Sequence, residues 1–277
     1  MKLSILIRNL NEAENLQKTL LTVQKQQVSF EYEVVVVDNE STDNSVQIAR
    51  QFGCKVVTLP RQAFTFGRAI NVGVQHCSGE VVLLLSSHIL LLTHQFLEQL
   101  VSYFTSADIA FVRPVNIAMP KSIEASLNPS TISLTDFKGN LNELAAKAWV
   151  NLVIANCTAI SKKAWLEVPF NEEIMANEDK LWSLLILRNG WKAVSNVPCY
   201  YYYTKKVTAT RRMDIDLKEE YSKAEILGKG PYKSHPAIQM MKSIYTGFVE
   251  AWAAMRWNLR IGWKLSKMKR ITKSKYL

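Results

Sequence analysis

Two short apolar runs without a polar face, Val34–Val37 and Val81–Leu85, constrain the fold of this chain most strongly. A strand that is apolar on both faces needs cover on both sides, as in a parallel sheet flanked by helices. Apolar residues at helical spacing, such as Leu16, Leu20 and Val23, alternate with such runs through the first 115 residues. This alternation predicts an α/β fold with a doubly wound, mostly parallel sheet, in which the strand over 33–37 is central.

Polar segments follow the predicted strands, at Arg8–Asn11, Asp38–Ser45, Pro60–Phe66 and Ser86–His88. The carboxyl ends of parallel strands meet at one edge of the sheet, where ligands bind in folds of this class, so we expect these segments to form one site. The chain contains neither G-x-G-x-x-G after the first strand nor G-x-x-x-x-G-K-[ST]. Dinucleotide-binding and P-loop proteins are therefore excluded.

Five sequence blocks resemble the family 2 glycosyltransferases of the GT-A fold, and they occur in the family's order over roughly residues 3–195. They are I-R-N-L-N-E-A-E-N-L (7–16), V-V-V-D-N-E-S-T-D-N-S (35–45), F-T-F-G-R-A-I-N-V-G (64–73), S-G-E-V-V-L-L-L-S-S-H (78–88) and A-N-E-D-K-L-W (176–182). The resemblance implies inverting transfer of a sugar from a nucleotide-sugar donor to an acceptor hydroxyl. In this family such transfer usually serves the assembly of bacterial surface polysaccharides or glycolipids.

The resemblance also implies which residues bind the donor. Asp38 resembles the family's base- and ribose-recognising aspartate, and Asn39 stands where many members have a second aspartate; a turn or helix-cap carboxylate is the alternative for Asp38. Arg8, Asn9 and Glu12 resemble donor-pocket residues, and a surface ion pair between Arg8 and Glu12 is the alternative interpretation.

Two further features each have two interpretations. Arg68 lies where the family places a basic residue that faces phosphate or base, and a solvated side chain is the alternative. The tyrosine run 200–203 is interpreted either as an acceptor groove, in which rings stack on sugar faces, or as packing within a strand.

The triplet Ser86-Ser87-His88 occupies the place of the family's D-x-D metal motif. Hard divalent cations prefer carboxylate oxygens, and the triplet has none. His88 is a candidate ligand for Mn²⁺ or a neutral hydrogen-bond donor to the diphosphate. A branch of the family has this substitution, so we expect activity with a weaker dependence on Mg²⁺ or Mn²⁺. Arg8, Arg68 or a helix N-terminus would balance part of the diphosphate charge.

Two adjacent acids, Glu178 and Asp179, open a predicted helix over 178–188. Acids at this position can simply complement the helix dipole. The resemblance favours a catalytic role, because an inverting transfer needs one carboxylate to remove the proton of the acceptor hydroxyl. Asp179 is the first candidate for this base and Glu178 the second.

The excess positive charge lies in the last part of the chain. Residues 205–277 contain 17 Lys and Arg against 6 Asp and Glu, whereas residues 1–204 have a net charge of −1. We expect a glycosyltransferase domain over 1–204, with a donor half (1–115) and an acceptor half (116–204), and a basic helical extension over 205–277. Basic residues alternate with tryptophan over 251–277, which favours a peripheral helix on an anionic membrane over nucleic-acid binding. Packing on the domain or on a second copy in a homo-oligomer is the alternative.

The apolar runs and the cysteines indicate where the protein acts. No apolar run reaches the roughly 20 residues of a membrane span, and the apolar stretch before Arg8 is too short for a secretory signal. The four cysteines are widely separated, which argues against a zinc site. We therefore expect a cytoplasmic enzyme, on the inner face of the cell membrane, with a saccharide or lipid-linked acceptor. A non-catalytic nucleotide- or carbohydrate-binding protein and a sugar-1-phosphate nucleotidyltransferase are the alternatives.

Overall fold

A mixed β-sheet with helices on both faces forms the centre of the protein, whose computed structural model describes residues 2–174, 176–205 and 208–228. Its strands are β1 (Leu3–Asn9), β2 (Tyr32–Asp38), β3 (Lys55–Thr58), β4 (Val81–Ser86), β5 (Ile89–Leu91), β6 (Ile109–Asn116), β7 (Ser130–Ile132), β8 (Cys157–Ser161) and β9 (Lys192–Tyr203). Its helices are α1 (Ala13–Gln24), α2 (Ser45–Gln51), α3 (Phe66–His76), α4 (Phe96–Ser102), α5 (Pro120–Ala125), α6 (Leu141–Ala148), α7 (Lys162–Glu167), α8 (Glu178–Arg188) and α9 (Ala209–Ile226). The predicted α/β fold class is confirmed.

The strands are ordered β3-β2-β1-β4-β8-β6-β9-β5, and β7 also pairs with β9. The first four are mutually parallel, whereas β8 runs antiparallel to both of its neighbours, β4 and β6. Strand β9 is parallel to β6 and antiparallel to β5 and β7. One continuous sheet therefore joins the predicted donor and acceptor halves.

Strand β2 lies next to the edge strand β3, so the prediction that it is central was wrong. Its lack of a polar face has another cause. Val35 and Val37 pack into a core that contains Ile70 of α3, and Val36 packs into a second core that contains Leu16 of α1. Helices on both faces of the sheet thus make the strand apolar throughout, even beside an edge.

The segment before β8 differs from its prediction. A strand was expected over Leu152–Ile160, but β8 begins only at Cys157. The preceding loop is fastened to α8 instead: the N–H of Val153 donates to Ser183 Oγ at 3.0 Å, and Lys180 Nζ donates to the carbonyl of Leu152 at 3.2 Å. The side chains of α8 thus hold residues 152–155 beside the carboxyl end of β4.

Helix α8 is fixed by aromatic packing and by a close backbone approach. The Trp182 ring stacks on Phe170 with 5.0 Å between centroids. The backbone of α3 approaches the chain just after Phe170 very closely. A Cβ on Gly67 would lie 2.0 Å from the carbonyl oxygen of Asn171. Any side chain at position 67 would therefore push α3 away from the acceptor half.

Helix α9 lies beyond residue 204 and still contacts the domain. Asn177 Nδ2 donates to the carbonyl of Glu219 at 2.7 Å, and Lys223 Nζ lies 5.0 Å from the centre of the Trp149 ring. Within the described ranges no helix is both long and apolar enough to cross a membrane. The basic stretch 251–277 lies outside the described residues.

Candidate active site

An open cleft of about 440 Å³ lies at the carboxyl ends of β1, β2 and β4. This volume is within the range of small-molecule sites. Its walls come from the loops expected to share one edge of the sheet; they include Arg8, Asn9, Asn11, Glu12, Asn39, Phe64, Phe66, Ser86, Ser87, His88 and Lys205. The strand register explains why they meet, because Asn9 pairs with Asp38 and Arg8 with Ser86 in neighbouring parallel strands.

Asp38 lies beneath the cleft and is 2% exposed. Its Oδ1 accepts hydrogen bonds from Asn9 Nδ2 at 3.0 Å and Ser41 Oγ at 2.6 Å, and its Oδ2 accepts one from the N–H of Ser41 at 2.8 Å. The Asp38 oxygens therefore have partners, whereas Asn9 Oδ1 is buried and has no partner within the described chain. The Asn9 amide oxygen is thus an acceptor without a partner among these residues, and Asp38 orients that amide.

Asn39 follows β2 and lines the cleft through its position in the loop. Its backbone N–H donates to the carbonyl of Asn9 at 3.0 Å, and its Nδ2 donates to the carbonyl of Leu59 at 2.7 Å. These two bonds fix the turn between β2 and α2. The loop at the end of β2 is thereby tied to β1 and to the end of β3.

Arg8 connects the cleft to the acidic end of α8. Its Nη2 donates to the carbonyl of Ala155 at 2.8 Å, its Nη1 is buried without a partner among residues 2–174, 176–205 and 208–228, and its guanidinium lies 5.5 Å from the Phe66 ring centre. Burial lowers the pKa of Arg8, whereas the charges of Glu178 and Asp179 raise it. The guanidinium stays charged, because arginine does not lose its proton in proteins.

Glu12 is paired with Lys205 instead of Arg8, which removes the mutual ion pair considered from the sequence. Its second oxygen accepts a hydrogen bond from Asn15 Nδ2 at 2.6 Å. Burial acts to raise the pKa of Glu12, but the hydrogen bonds from Lys205 and Asn15 outweigh it, and the pKa lies below its usual value. Glu12 is therefore ionised at neutral pH.

The triplet Ser86-Ser87-His88 turns the chain from β4 into β5. The His88 ring meets Tyr203 edge to face at 4.7 Å, and its Nδ1 is buried without a partner in the described part of the chain. Burial, followed by the charge of Lys205, lowers the pKa of His88 to about 4, so the ring is neutral at pH 7. No group of three His, Cys, Asp or Glu residues that could hold a metal ion occurs among the described residues.

Asp179 lies in the first turn of α8, and backbone groups orient its carboxylate. The N–H of Ala155 donates to Oδ2 at 3.0 Å, and the N–H of Lys180 donates to Oδ1 at 2.7 Å. Ala155 therefore contacts two functional candidates at once, since its carbonyl accepts from Arg8. Ala155 thus links Arg8, which lines the cleft, to the Asp179 carboxylate.

Glu178 lies directly before Asp179, and its side chain is buried at 6% exposure. Burial raises the pKa of Glu178 to about 7; the charge of Asp179 raises it further, and that of Arg8 opposes the shift. The preceding residue, Asn177, has a left-handed backbone with φ 61°. Of the two acids, Asp179 is the more exposed.

Arg68 and Asn71 of α3 contact the acceptor half and not the cleft. Arg68 Nε pairs with Glu172 at 2.7 Å on the surface. Asn71 is buried; its Oδ1 accepts from Trp165 Nε1 at 2.9 Å, and its Nδ2 donates to the carbonyl of Phe170 at 2.8 Å. Asn71 thus fastens α3 to the segment before α8.

Lys205 lines the cleft although the sequence placed it in the basic extension. It lies two residues beyond β9, and the preceding Thr204 donates from both its N–H and its Oγ1 to the carbonyl of His88 at 3.0 Å. No local pattern marks Lys205, because its position depends on pairing between strands more than 100 residues apart. Of the tyrosines before it, Tyr201 is buried at 2% exposure and serves packing.

Known proteins resemble this chain in sequence over half of its length or more. The sequence profile described as Glycosyl transferase family 2 matches residues 4–167. Glycosyltransferase AglE of Haloferax volcanii is 30% identical over 162 residues, which are 54% of this chain and 51% of that protein. Poly(ribitol-phosphate) beta-N-acetylglucosaminyltransferase TarS of Staphylococcus aureus is 26% identical over 216 residues, 74% of this chain and 36% of that protein. The chain thus spans about half the length, or less, of these two relatives.

Solved structures resemble the fold. TarS 1–349 of S. aureus superimposes with a TM-score of 0.58 at 22% identity, covering 74% of this chain and 60% of that one. Mannosyltransferase PcManGT of Pyrobaculum calidifontis, in complex with GDP-Man and Mn²⁺, gives a TM-score of 0.60 at 16% identity, covering 91% of this chain and 75% of that one. At these identities the likeness concerns the fold, which is that of the GT-A glycosyltransferases.

Proposed function

Because the chain belongs to glycosyl transferase family 2, we propose that it transfers a sugar from a nucleotide-sugar donor to an acceptor hydroxyl, with inversion at the anomeric carbon. The observation that carries this proposal is the position of Asp179. Its carboxylate accepts a hydrogen bond from the N–H of Ala155, and the carbonyl of the same residue accepts one from Arg8, which lines the cleft. A donor site and a proton acceptor thus adjoin, as a single displacement requires.

The donor occupies the cleft in this proposal. Asn9, oriented by Asp38, offers its free amide oxygen to the base or ribose, and Asn39 lines the cleft in the same loop region. Arg8, with its buried and unpartnered Nη1, faces the diphosphate. Glu12 and the triplet Ser86, Ser87 and His88 complete the wall. Arg68 contributes only after leaving Glu172, and we assign it no contact in the resting protein.

Asp179 acts as the general base. One of its oxygens accepts the proton of the acceptor hydroxyl while that oxygen attacks the anomeric carbon, and the bond to the diphosphate breaks with its electron pair leaving on the diphosphate oxygen. The N–H groups of Ala155 and Lys180 hold the carboxylate in orientation before the acceptor arrives. Glu178 is the second candidate, disfavoured by its burial.

The acceptor is proposed to be a saccharide or lipid-linked intermediate of a cell-surface glycan. Two relatives support this class, since TarS acts on poly(ribitol-phosphate) and RfbN of Salmonella typhimurium, 24% identical over 201 residues, is an O-antigen chain rhamnosyltransferase. We also propose peripheral attachment to the inner face of the membrane through the basic segment 251–277. Sedimentation with anionic vesicles at low and high salt tests this attachment.

Incubation with a panel of nucleotide sugars tests the function, with release of free nucleoside diphosphate as the readout. A glycosyltransferase slowly hydrolyses its own donor in the absence of acceptor, whereas a binding protein releases nothing. The matched variant Asp179→Asn should bind the same donor and lose the release. Binding of a nucleotide sugar without any release, in wild type and variant alike, would identify a non-catalytic binding protein.

A further inference from the structure

Two fixed positive charges, Arg8 and Lys205, stand on the wall of the cleft. They come from opposite ends of the described domain, at the end of β1 and just past β9. From the sequence, Arg8, Arg68 or a helix N-terminus was expected to balance the negative charge of the diphosphate, and Lys205 was not considered. Its placement in the fold gives the cleft a second cation where the sequence shows no metal carboxylates.

The backbone positions Lys205. Strand β9 runs antiparallel to β5, with Ile89 opposite Tyr203. Both hydrogen bonds from Thr204 to the carbonyl of His88 then fold the next residue over the Ser86–His88 turn. The Lys205 ammonium forms an ion pair with Glu12. The Lys205 side chain is 28% exposed and the Glu12 side chain 16% exposed. The ammonium is thus held in place above the triplet.

The same residues do not fit a divalent cation. Glu12 is the one carboxylate among the residues lining the cleft, and its two oxygens are already paired with Lys205 and Asn15. Ser86 and Ser87 offer only hydroxyl groups, which are weak ligands for hard cations beside carboxylates. His88, the remaining candidate ligand, lies near the charges of Lys205 and Arg8. A divalent ion placed there would meet two like charges, and the Glu12 carboxylate near it is already paired with Lys205.

We propose, on the basis of the glycosyl transfer proposed above, that Lys205 binds the donor diphosphate and, together with Arg8, supplies the positive charge that a divalent metal ion would otherwise provide. Arg8 and Lys205 bring two positive charges to the cleft, and the Glu12 carboxylate compensates part of the second. When the bond between the anomeric carbon and the diphosphate oxygen breaks, its electron pair stays on that oxygen, and the ammonium and guanidinium stabilise the added negative charge. Glu12 is a positioning residue, which holds the ammonium over the cleft.

Calorimetric binding of UDP, GDP and dTDP, in EDTA and in Mn²⁺, tests the proposal with a readout independent of turnover. The wild-type protein should bind its preferred nucleoside diphosphate in EDTA with an affinity within about threefold of that in Mn²⁺. Lys205→Gln keeps a hydrogen-bond donor for Glu12 and removes the charge. It should lower the affinity about 10- to 100-fold, the range for a charged hydrogen bond, and leave binding of the matching nucleoside unchanged. Lys205→Arg should restore most of the affinity.

Lys192→Gln is the matched control. Lys192 is the first residue of β9, the strand that precedes Lys205. Its exposed pair with Asp108, at 2.9 Å, lies at the amino end of that strand, whereas Lys205 follows the carboxyl end. This variant should bind as the wild type does. Equal melting temperatures of the two variants would show that any difference in affinity arises at the cleft and not from unfolding.

Glu12 has its own test. Glu12→Gln keeps an oxygen for the ammonium and should preserve nucleoside diphosphate affinity, whereas Glu12→Ala releases Lys205 and should weaken it several-fold. Equal affinities in all three proteins would overturn the positioning role.

The failures are distinguishable. Binding that needs Mn²⁺, or a Lys205→Gln variant that binds like the wild type, overturns the role of Lys205 and leaves the glycosyl transfer intact. A wild-type protein that binds no nucleoside diphosphate with or without Mn²⁺ overturns both.

Discussion

The two carboxylates on which the proposed function depends most, Asp38 at the end of β2 and Asp179 in the first turn of α8, are held in contrasting ways. Asp38 is buried, and two of its three hydrogen bonds come from side chains, those of Asn9 and Ser41. Asp179 is partly exposed and receives its two bonds from backbone N–H groups. The first carboxylate belongs to a network that shapes the cleft, and the second is fixed yet still reachable.

This difference suits the first carboxylate to a structural role and the second to a chemical one. A buried carboxylate that accepts hydrogen bonds on both oxygens stabilises the surrounding loops and can act on a ligand through a neighbour, here Asn9. A carboxylate fixed by the backbone and open on one side can accept a proton from a substrate. We therefore expect substitutions at the two positions to affect different quantities.

The largest effect is expected for Asp179→Asn. Loss of the general base should lower kcat by roughly 10³-fold, within the usual 10²–10⁴ range, while nucleoside diphosphate affinity stays within about twofold. Single-turnover kinetics and calorimetry measure the two quantities. Asp108→Asn, the same substitution at the far edge of the sheet, is the control and should retain full turnover. An equal loss of affinity and turnover in Asp179→Asn would contradict the assignment of the base.

The next effect concerns Asp38→Ala. Removing this carboxylate leaves a buried donor of Asn9 and partly buried donors of Ser41 unpaired, so the free energy of unfolding should fall by about 2–4 kcal/mol. Nucleotide binding should be lost with it, because Asn9 is no longer oriented. Urea denaturation and calorimetry test both expectations, and Asp38→Asn, which keeps one acceptor oxygen, should show a smaller loss of each. Unchanged stability with lost binding would instead point to direct contact of Asp38 with the donor.

Glu178 provides a pH-dependent test of the acceptor half. Its pKa in the folded state, about 7, exceeds the ordinary value of 4.5, so the native protein holds its proton more tightly than the unfolded chain. This contribution is fully present below about pH 4.5 and is lost as pH rises through about 7. Glu178→Gln should therefore gain on the order of 2–3 kcal/mol relative to wild type between about pH 4 and pH 8, by urea denaturation. If the free energy of unfolding changed with pH in the same way in both proteins, the raised pKa of Glu178 would be contradicted.

Local patterns predicted the donor half well. The apolar runs and helical spacings located β1, α1 and β4, and the rule that ligands bind at carboxyl strand ends brought Arg8 and Ser86 to one cleft. The start of α8 at Glu178 was also predicted correctly. In these elements each residue's environment follows from neighbours close in sequence.

The remainder depends on contacts between distant segments. Residues 152–155 have the apolar character of a strand, yet they form a loop because side chains of α8 bind their backbone groups. The placement of Lys205 requires β9 to pair with the three-residue strand β5, which is too short to show a periodicity. Donors such as the Ala155 N–H cannot be identified from residue type, since every residue except proline has one.

The smallest effect is expected at Arg68, where the resemblance implied a contact with phosphate or base. Arg68 and Glu172 are 44% and 34% exposed, and Glu172 keeps a second bond from Asn71 Nδ2 at 2.9 Å, so little is left unpaired when the arginine is removed. Arg68→Ala should lower the free energy of unfolding by no more than about 0.5 kcal/mol, as is usual for a surface pair. Nucleoside diphosphate affinity should stay within about twofold of wild type, in contrast to the loss expected for Lys205→Gln. A tenfold loss of affinity with unchanged stability would mean that Arg68 leaves Glu172 when the donor binds, and the fixed charge of the cleft would then include a third cation.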